Sequence, residues 1–177
     1  MSLCLGCMKE KGESEICPNC GLNEVDLQNT NFTLLSPGTV LNNRYIVGIA
    51  LGQGGFGITY TGYDNIFRTP VAIKEYYPSD IASRSSLEGT ISPFTQNKED
   101  YEKGKQRFID EARTLAKFAD HPCIVGVKDC FVANDTAYMV MEYLEGVNLK
   151  EYLNRKGGKI SVNEAISTLT PVLDALK

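Results

Sequence analysis

Residues 51–57 read Leu51-Gly52-Gln53-Gly54-Gly55-Phe56-Gly57, followed by Ile58-Thr59-Tyr60-Thr61-Gly62-Tyr63. The glycine spacing G-x-G-x-x-G serves two unrelated folds. In a dinucleotide-binding unit it opens a helix, whose N-terminus holds a pyrophosphate. Here β-branched and aromatic residues stand on both sides, in Arg44 to Leu51 and again after Gly57. The loop therefore joins two strands. A glycine loop between strands suits the close approach of an anion such as a phosphate, because a backbone without Cβ atoms can come near it and present N–H groups. Read alone, the same seven residues also suit an ordinary hairpin turn.

A second motif follows. Val71-Ala72-Ile73-Lys74, after Pro70, reads as a third short strand, with Lys74 seventeen residues beyond Gly57. Lys74 is expected to be a buried cation that reaches nucleotide phosphates. A buried charge needs a partner. Tyr101 to Phe118 has helical periodicity, with Phe108, Ala112, Leu115 and Phe118 on one face. Asp110 and Glu111 are the candidate carboxylates. Glu111 shares the inward face with Phe108 and Leu115, so Lys74 and Glu111 are the expected catalytic pair. The competing reading leaves Lys74 exposed on its strand and Glu111 solvated on its helix.

Outward from these motifs, Tyr77 to Lys98 is rich in Ser and Pro without a steady period and reads as a long loop. Ile124–Val132 and Thr136–Glu142 are two more strands, joined by Ala133-Asn134-Asp135. Leu149–Leu153 begins a short helix. Ser161 to Lys177 is another, with Ser161 as N-cap, Glu164 at the capping-box spacing, and Pro171 as a kink or break. The first three strands are too close in sequence for crossover helices, so the sheet is antiparallel. The fold class is α+β: five strands, one helix between the third and fourth, and then helices. The expected divisions are a cysteine segment at 1–22, a linker at 23–40, the strand-rich lobe at 41–146 and the start of a second lobe at 147–177. No internal repeat is visible.

The cysteine segment holds Cys4-Leu5-Gly6-Cys7 and Cys17-Pro18-Asn19-Cys20-Gly21. Two C-x₂-C pairs can supply Cys4, Cys7, Cys17 and Cys20 as four thiolates in the closed tetrahedral geometry of structural zinc. Iron suits the same ligands, and a disordered reducible tail is the competing reading. With so few apolar residues, the segment can fold only by coupling to metal. Cys123 and Cys130 stand apart and read as small buried hydrophobes.

Together these motifs resemble the N-terminal lobe of a bacterial serine/threonine protein kinase of the eukaryotic type. The resemblance runs from about Arg44 to the end and includes the glycine loop, Val71-Ala72-Ile73-Lys74 and Glu111. It also takes in His121-Pro122-Cys123-Ile124-Val125 and Tyr138-Met139-Val140-Met141-Glu142-Tyr143-Leu144-Glu145-Gly146. It implies ATP and magnesium as cofactors and protein hydroxyls as substrates. By that resemblance Gly52, Gln53, Gly54, Gly55, Phe56 and Gly57 cover the phosphates, while Leu51, Ala72 and Leu144 pack on adenine. Met141 is the gatekeeper, the Glu142 carbonyl and Leu144 N–H pair with the base, and Asn148 lies near the ribose. Leu115 and Val127 match two members of a hydrophobic spine. Thr59 stands where the family usually has valine. The only histidine, His121, precedes Pro122 and reads as structural, and neither H-R-D nor D-F-G occurs in these residues. The magnesium ligands are therefore not among them, and the chain alone is expected to lack turnover. The alternative is a non-catalytic interaction module of pseudokinase type.

Composition narrows the classes. Of 177 residues, 42% are hydrophobic and 23% charged, which is globular, and the net charge of −4 excludes a general nucleic-acid binder. No apolar run approaches the ~20 residues of a membrane span. The start lacks a basic n-region and a long apolar stretch, so no signal peptide is read and a cytoplasmic location is expected. Ile166, Leu169, Leu173 and Leu176 form an apolar stripe that invites self-association.

Overall fold

Alternation along one strand organises the molecule. In Thr69–Tyr76, residues Ala72, Lys74 and Tyr76 face one side, and Ile73 and Glu75 face the other. A computed structural model describes residues 2–27, 32–85 and 89–175. Its strands are β1 (Val40–Leu41), β2 (Tyr45–Gly54), β3 (Gly57–Asp64), β4 (Thr69–Tyr76), β5 (Ala82–Arg84), β6 (Ile91–Pro93), β7 (Val127–Ala133) and β8 (Thr136–Glu142). Its helices are α1 (Lys98–Ala116), α2 (Leu149–Arg155) and α3 (Val162–Ala175). The main sheet is antiparallel, in the order β1-β2-β3-β4-β8-β7. It has six strands where five were expected. The extra one is two residues long, too short for any periodicity to reveal it.

The first face carries α1. The Tyr76 ring packs on Tyr101 at 5.3 Å and on Phe108 at 5.8 Å between centroids. Gly104 sits directly over that ring: a Cβ there would lie 2.1 Å from Tyr76 Oη. Glycine at mid-helix costs ~1 kcal/mol relative to alanine, and the close approach of Tyr76 is what requires it.

The second face corrects two expectations. Residues 77–98 are not an open loop: β5 and β6 pair as a hairpin, with Ala82 opposite Pro93 and Arg84 opposite Ile91. Residues 86–88 lie outside the described residues. Ala82 and Ile91 join the buried core beside Tyr60, Ile73 and Tyr138. Three-residue strands containing Ser and Pro carry no legible period, so their pairing rests on tertiary contacts. The stretch before β1 is not a free linker either. Leu35 is buried in the same core, and its N–H donates to Tyr60 Oη at 3.2 Å.

The cysteine segment folds into two equivalent knuckles. In the first, Cys4 N–H donates to Lys9 O and Met8 N–H to Cys4 O. In the second, Cys17 N–H donates to Leu22 O and Gly21 N–H to Cys17 O. Leu3 bridges Glu10, and Ile16 bridges Asn23, at the same offset. The chain therefore contains a repeat that the sequence hides, because only the cysteines coincide. Met8 at φ 57° and Gly21 at φ 74° hold the same left-handed position. For methionine that conformation costs on the order of 1 kcal/mol.

At the other end, α3 runs unbroken through Pro171. Ser161 Oγ accepts the Glu164 N–H at 3.2 Å as the cap. The Glu164 carboxylate does not reach back; it accepts from Tyr152 and pairs with Lys156 at 3.2 Å. Ile166, Leu169 and Leu173 are exposed, and Leu176 lies outside the described residues. Among those described, no helix is long and apolar enough to cross a membrane.

Candidate functional site

The glycine loop closes the β2–β3 hairpin, with Gly54 opposite Gly57 as the last pair. Its glycines have different causes. A Cβ on Gly57 would lie 2.2 Å from Glu75 O, so the approach of β4 fixes that position. Gly52, Gly54 and Gly55 would meet nothing within 4 Å, and none has a positive φ. Neither packing nor backbone strain accounts for them. The tip is held by Tyr77 N–H donating to Phe56 O at 3.2 Å.

Beneath the loop is a cavity of about 480 Å³, lined by Leu51, Gly52, Gln53, Gly54, Gly55, Phe56, Gly57, Thr59 and Lys74. Thr59 lies directly across from Lys74 in the β3–β4 register. Lys74 Nζ donates to Glu111 Oε1 at 3.2 Å and stands 5.5 Å from the Phe108 ring centroid. Asp110 turns away, accepting from Arg113 at 2.9 Å and Gln106 at 3.1 Å. Lys74 is not the buried cation that was expected: its side chain is 31% exposed and that of Glu111 is 51%. The pair stands at the open side of the sheet, where water reaches both groups. At that exposure an ion pair contributes little to stability.

The other expected residues are placed less closely. Met141 lies opposite Ala72 on β4 and Val127 on β7. Leu115 and Val127 pack against the core. Glu142 and Leu144 border a hollow of about 360 Å³ with residues 119–125. Asn148 caps α2, its Oδ1 accepting the Glu151 N–H at 2.9 Å. His121 Nδ1 accepts the Cys123 N–H at 3.2 Å, a local structural contact. Cys123 is exposed rather than buried, since it sits in a loop ahead of β7, and Cys130 is half-buried.

The four N-terminal cysteines do converge. All four Sγ atoms lie within 4.8 Å of one another, with Cys4–Cys20 at 3.6 Å and Cys7–Cys17 at 3.7 Å. Thiolates ~2.3 Å from a tetrahedral centre stand ~3.8 Å apart, so the donor set fits a four-coordinate metal. Gly6 N–H donates to Cys4 Sγ at 3.4 Å, and a Cβ at Gly6 would lie 2.7 Å from Leu22 Cδ2. Burial pushes the Cys7 thiol up to about 12. At Cys17 the effect of burial is outweighed by the Cys20 and Asn19 N–H groups, which bring it down to about 6.

Two features went unread in the sequence. One is a cavity of about 460 Å³ between α1, Tyr76, Pro78 and Ile81, with Lys74 and Glu111 in its wall. The other is a buried cluster on the second face, in which Glu75 accepts from Tyr60, Tyr138 and Arg84. A glutamate next to the strand lysine was the available signal, but its partner Arg84 lies in the segment read as a loop.

A family model described as the protein kinase domain matches residues 45–177. The chain is 29% identical over 143 residues to the probable serine/threonine-protein kinase YbdM of Bacillus subtilis, covering 81% of this chain and 48% of that protein. It is 31% identical over 139 residues to the serine/threonine-protein kinase PrkC of the same organism, covering 78% of this chain and 18% of that one. Among solved structures, "PpkA-294 apo form" superposes with a TM-score of 0.74 at 33% identity, over 81% of this chain and 50% of that chain. The chain belongs to the protein kinase domain family. It spans about half the length, or less, of these curated relatives.

Proposed function

We propose that this chain is the nucleotide-binding lobe of a serine/threonine kinase that transfers the ATP γ-phosphate to protein hydroxyls. The observation that carries the reading is the cavity under the glycine loop, with three unobstructed glycines above it and Lys74 paired to Glu111 below. In this reading the phosphates lie between the loop N–H groups and Lys74, and Glu111 holds the Lys74 ammonium at its post. Leu51 and Leu144, both large and exposed, pack on adenine. The Glu142 carbonyl and Leu144 N–H pair with its edge, Met141 stands behind it, and Asn148 lies toward the ribose. Magnesium accompanies ATP, its protein ligands lying outside these residues.

We further assign the four cysteines to zinc, which acts as a structural cross-link of the two knuckles. The sulfur spacing supports a tetrahedral metal. The test of the nucleotide reading is calorimetry with MgATP. Lys74→Ala is expected to weaken binding by tenfold or more, on the order of 1.4 kcal/mol. Equal affinity of variant and parent would refute the assignment of Lys74.

A further inference from the structure

The cysteine segment is not appended at a distance; it is docked on the nucleotide lobe at one irregularity of the sheet. The β2–β3 register breaks between Val47 and Ala50, so that Gly48 and Ile49 together oppose Thr61. The Ile49 N–H freed by this bulge donates to the Leu5 carbonyl at 3.0 Å. Thr61 Oγ1 donates to the same carbonyl at 3.3 Å. Gly48 is glycine because a Cβ there would lie 2.1 Å from Met8 Cε and 2.2 Å from both Leu5 O and Thr61 Oγ1.

Register tells which face this is. Thr61 lies opposite Ala72, as Thr59 lies opposite Lys74. Residues directly opposite share a face, so Leu5 stands on the side of the sheet that carries Lys74. The knuckle also reaches the segment after β8, where Lys9 Nζ pairs with Glu145 at 3.0 Å. Leu5 is therefore fastened just ahead of the glycine loop, and Lys9 reaches Glu145, just after Leu144, through an exposed ion pair. Leu5 lies between Cys4 and Cys7, and Met8 immediately follows Cys7, so the metal geometry sets the position of both contacts.

We propose that the first cysteine knuckle forms an outer wall of the nucleotide cleft, so that metal occupancy and nucleotide binding are coupled. This rests on the zinc and ATP readings above. Coupling through a shared element is reciprocal: metal tightens nucleotide by the same factor as nucleotide tightens metal.

The experiment uses the whole chain with zinc, then after chelation, and measures zinc stoichiometry, MgATP affinity by calorimetry and amide exchange at Ile49. Chelation is expected to weaken MgATP binding ~5-fold or more and to speed Ile49 exchange. Zinc-loaded Gly48→Ala is expected to keep its metal yet bind MgATP as weakly as the chelated parent. In the chelated chain the same substitution adds nothing, which separates undocking from damage to the lobe. Unchanged MgATP affinity and unchanged Ile49 exchange on chelation would overturn the coupling while leaving both underlying readings intact. Zero zinc stoichiometry overturns it through the metal reading. Absent MgATP binding in both states overturns it through the nucleotide reading.

Discussion

Arg84 Nη2 lies 2.5 Å from Glu75 Oε2, and the two side chains are 3% and 0% exposed. Arg84 belongs to the short hairpin β5–β6 and Glu75 to the central strand β4. The guanidinium spends its other donors on Thr33 O at 2.9 Å and Gly89 O at 2.8 Å, and lies over the Tyr77 ring. The carboxylate accepts from Tyr138 at 2.7 Å and Tyr60 at 3.0 Å. The two tyrosine hydroxyls are consequently held in their protonated form, mainly by burial and next by the Glu75 charge.

Breaking this pair on one side strands a charge out of water. Arg84→Met is expected to cost about 3–5 kcal/mol in denaturant unfolding. Adding Glu75→Gln recovers much of the loss, since glutamine carries no net charge and its one carbonyl oxygen still accepts from one of the two tyrosines. A single variant as stable as the parent would show that the pair contributes nothing.

Gly104 gives a prediction that opposes helix propensity. Alanine favours a helix interior by ~1 kcal/mol, yet Gly104→Ala is expected to destabilise by about 1–3 kcal/mol through overpacking on Tyr76. The penalty shrinks in a Tyr76→Phe background, because the nearest atom, Oη, is gone. Thermal unfolding of the four proteins reads out the cycle.

Asp64 predicts part of the acid limb. Its carboxyl, 1% exposed, is held below its ordinary 3.8, first by the Arg44 guanidinium and then by the Phe67 and Ile66 N–H groups, against the opposing effect of burial. A lowered folded pKa stabilises above the unfolded value and loses that stabilisation as pH falls through the folded one. Parent stability is thus expected to fall below about pH 4, and Asp64→Asn to be less stable at pH 7 with a shallower acid limb. Equal slopes for the two proteins below pH 4 would count against this role.

For the cysteines, Cys4→Ser, Cys7→Ser, Cys17→Ser and Cys20→Ser are each expected to reduce zinc content, while Cys123→Ser and Cys130→Ser leave it unchanged. Metal analysis of purified protein checks this. A parent that retains no zinc would leave the converging thiols without their proposed occupant.

The sequence made the flap, the strand lysine and the carboxylate of α1 legible, because each is a local pattern with a physical requirement. The strand edges were legible to within a few residues. What it concealed was tertiary. The hairpin β5–β6 exists because Arg84 finds Glu75 and Thr33, and Ile91 finds the core, contacts that no local period announces. β1 is too short to have a period. The docking of Leu5 at Ile49 depends on a bulge, which register creates and composition does not. The exposure of Lys74 was misjudged because a cation in an apolar strand looks buried until the open side of the sheet is known.

The hairpin also constrains how α1 moves. Its far end leads within a few residues into Lys98, and its near end leaves β4 at Tyr77. A swing of the whole of α1 as one body would have to drag Tyr76 out of the notch at Gly104 or pull Arg84 off its carboxylate. The helix is moored along its N-terminal half, so a displacement of Glu111 from Lys74 is expected to pivot about Gly104 rather than carry the whole helix away.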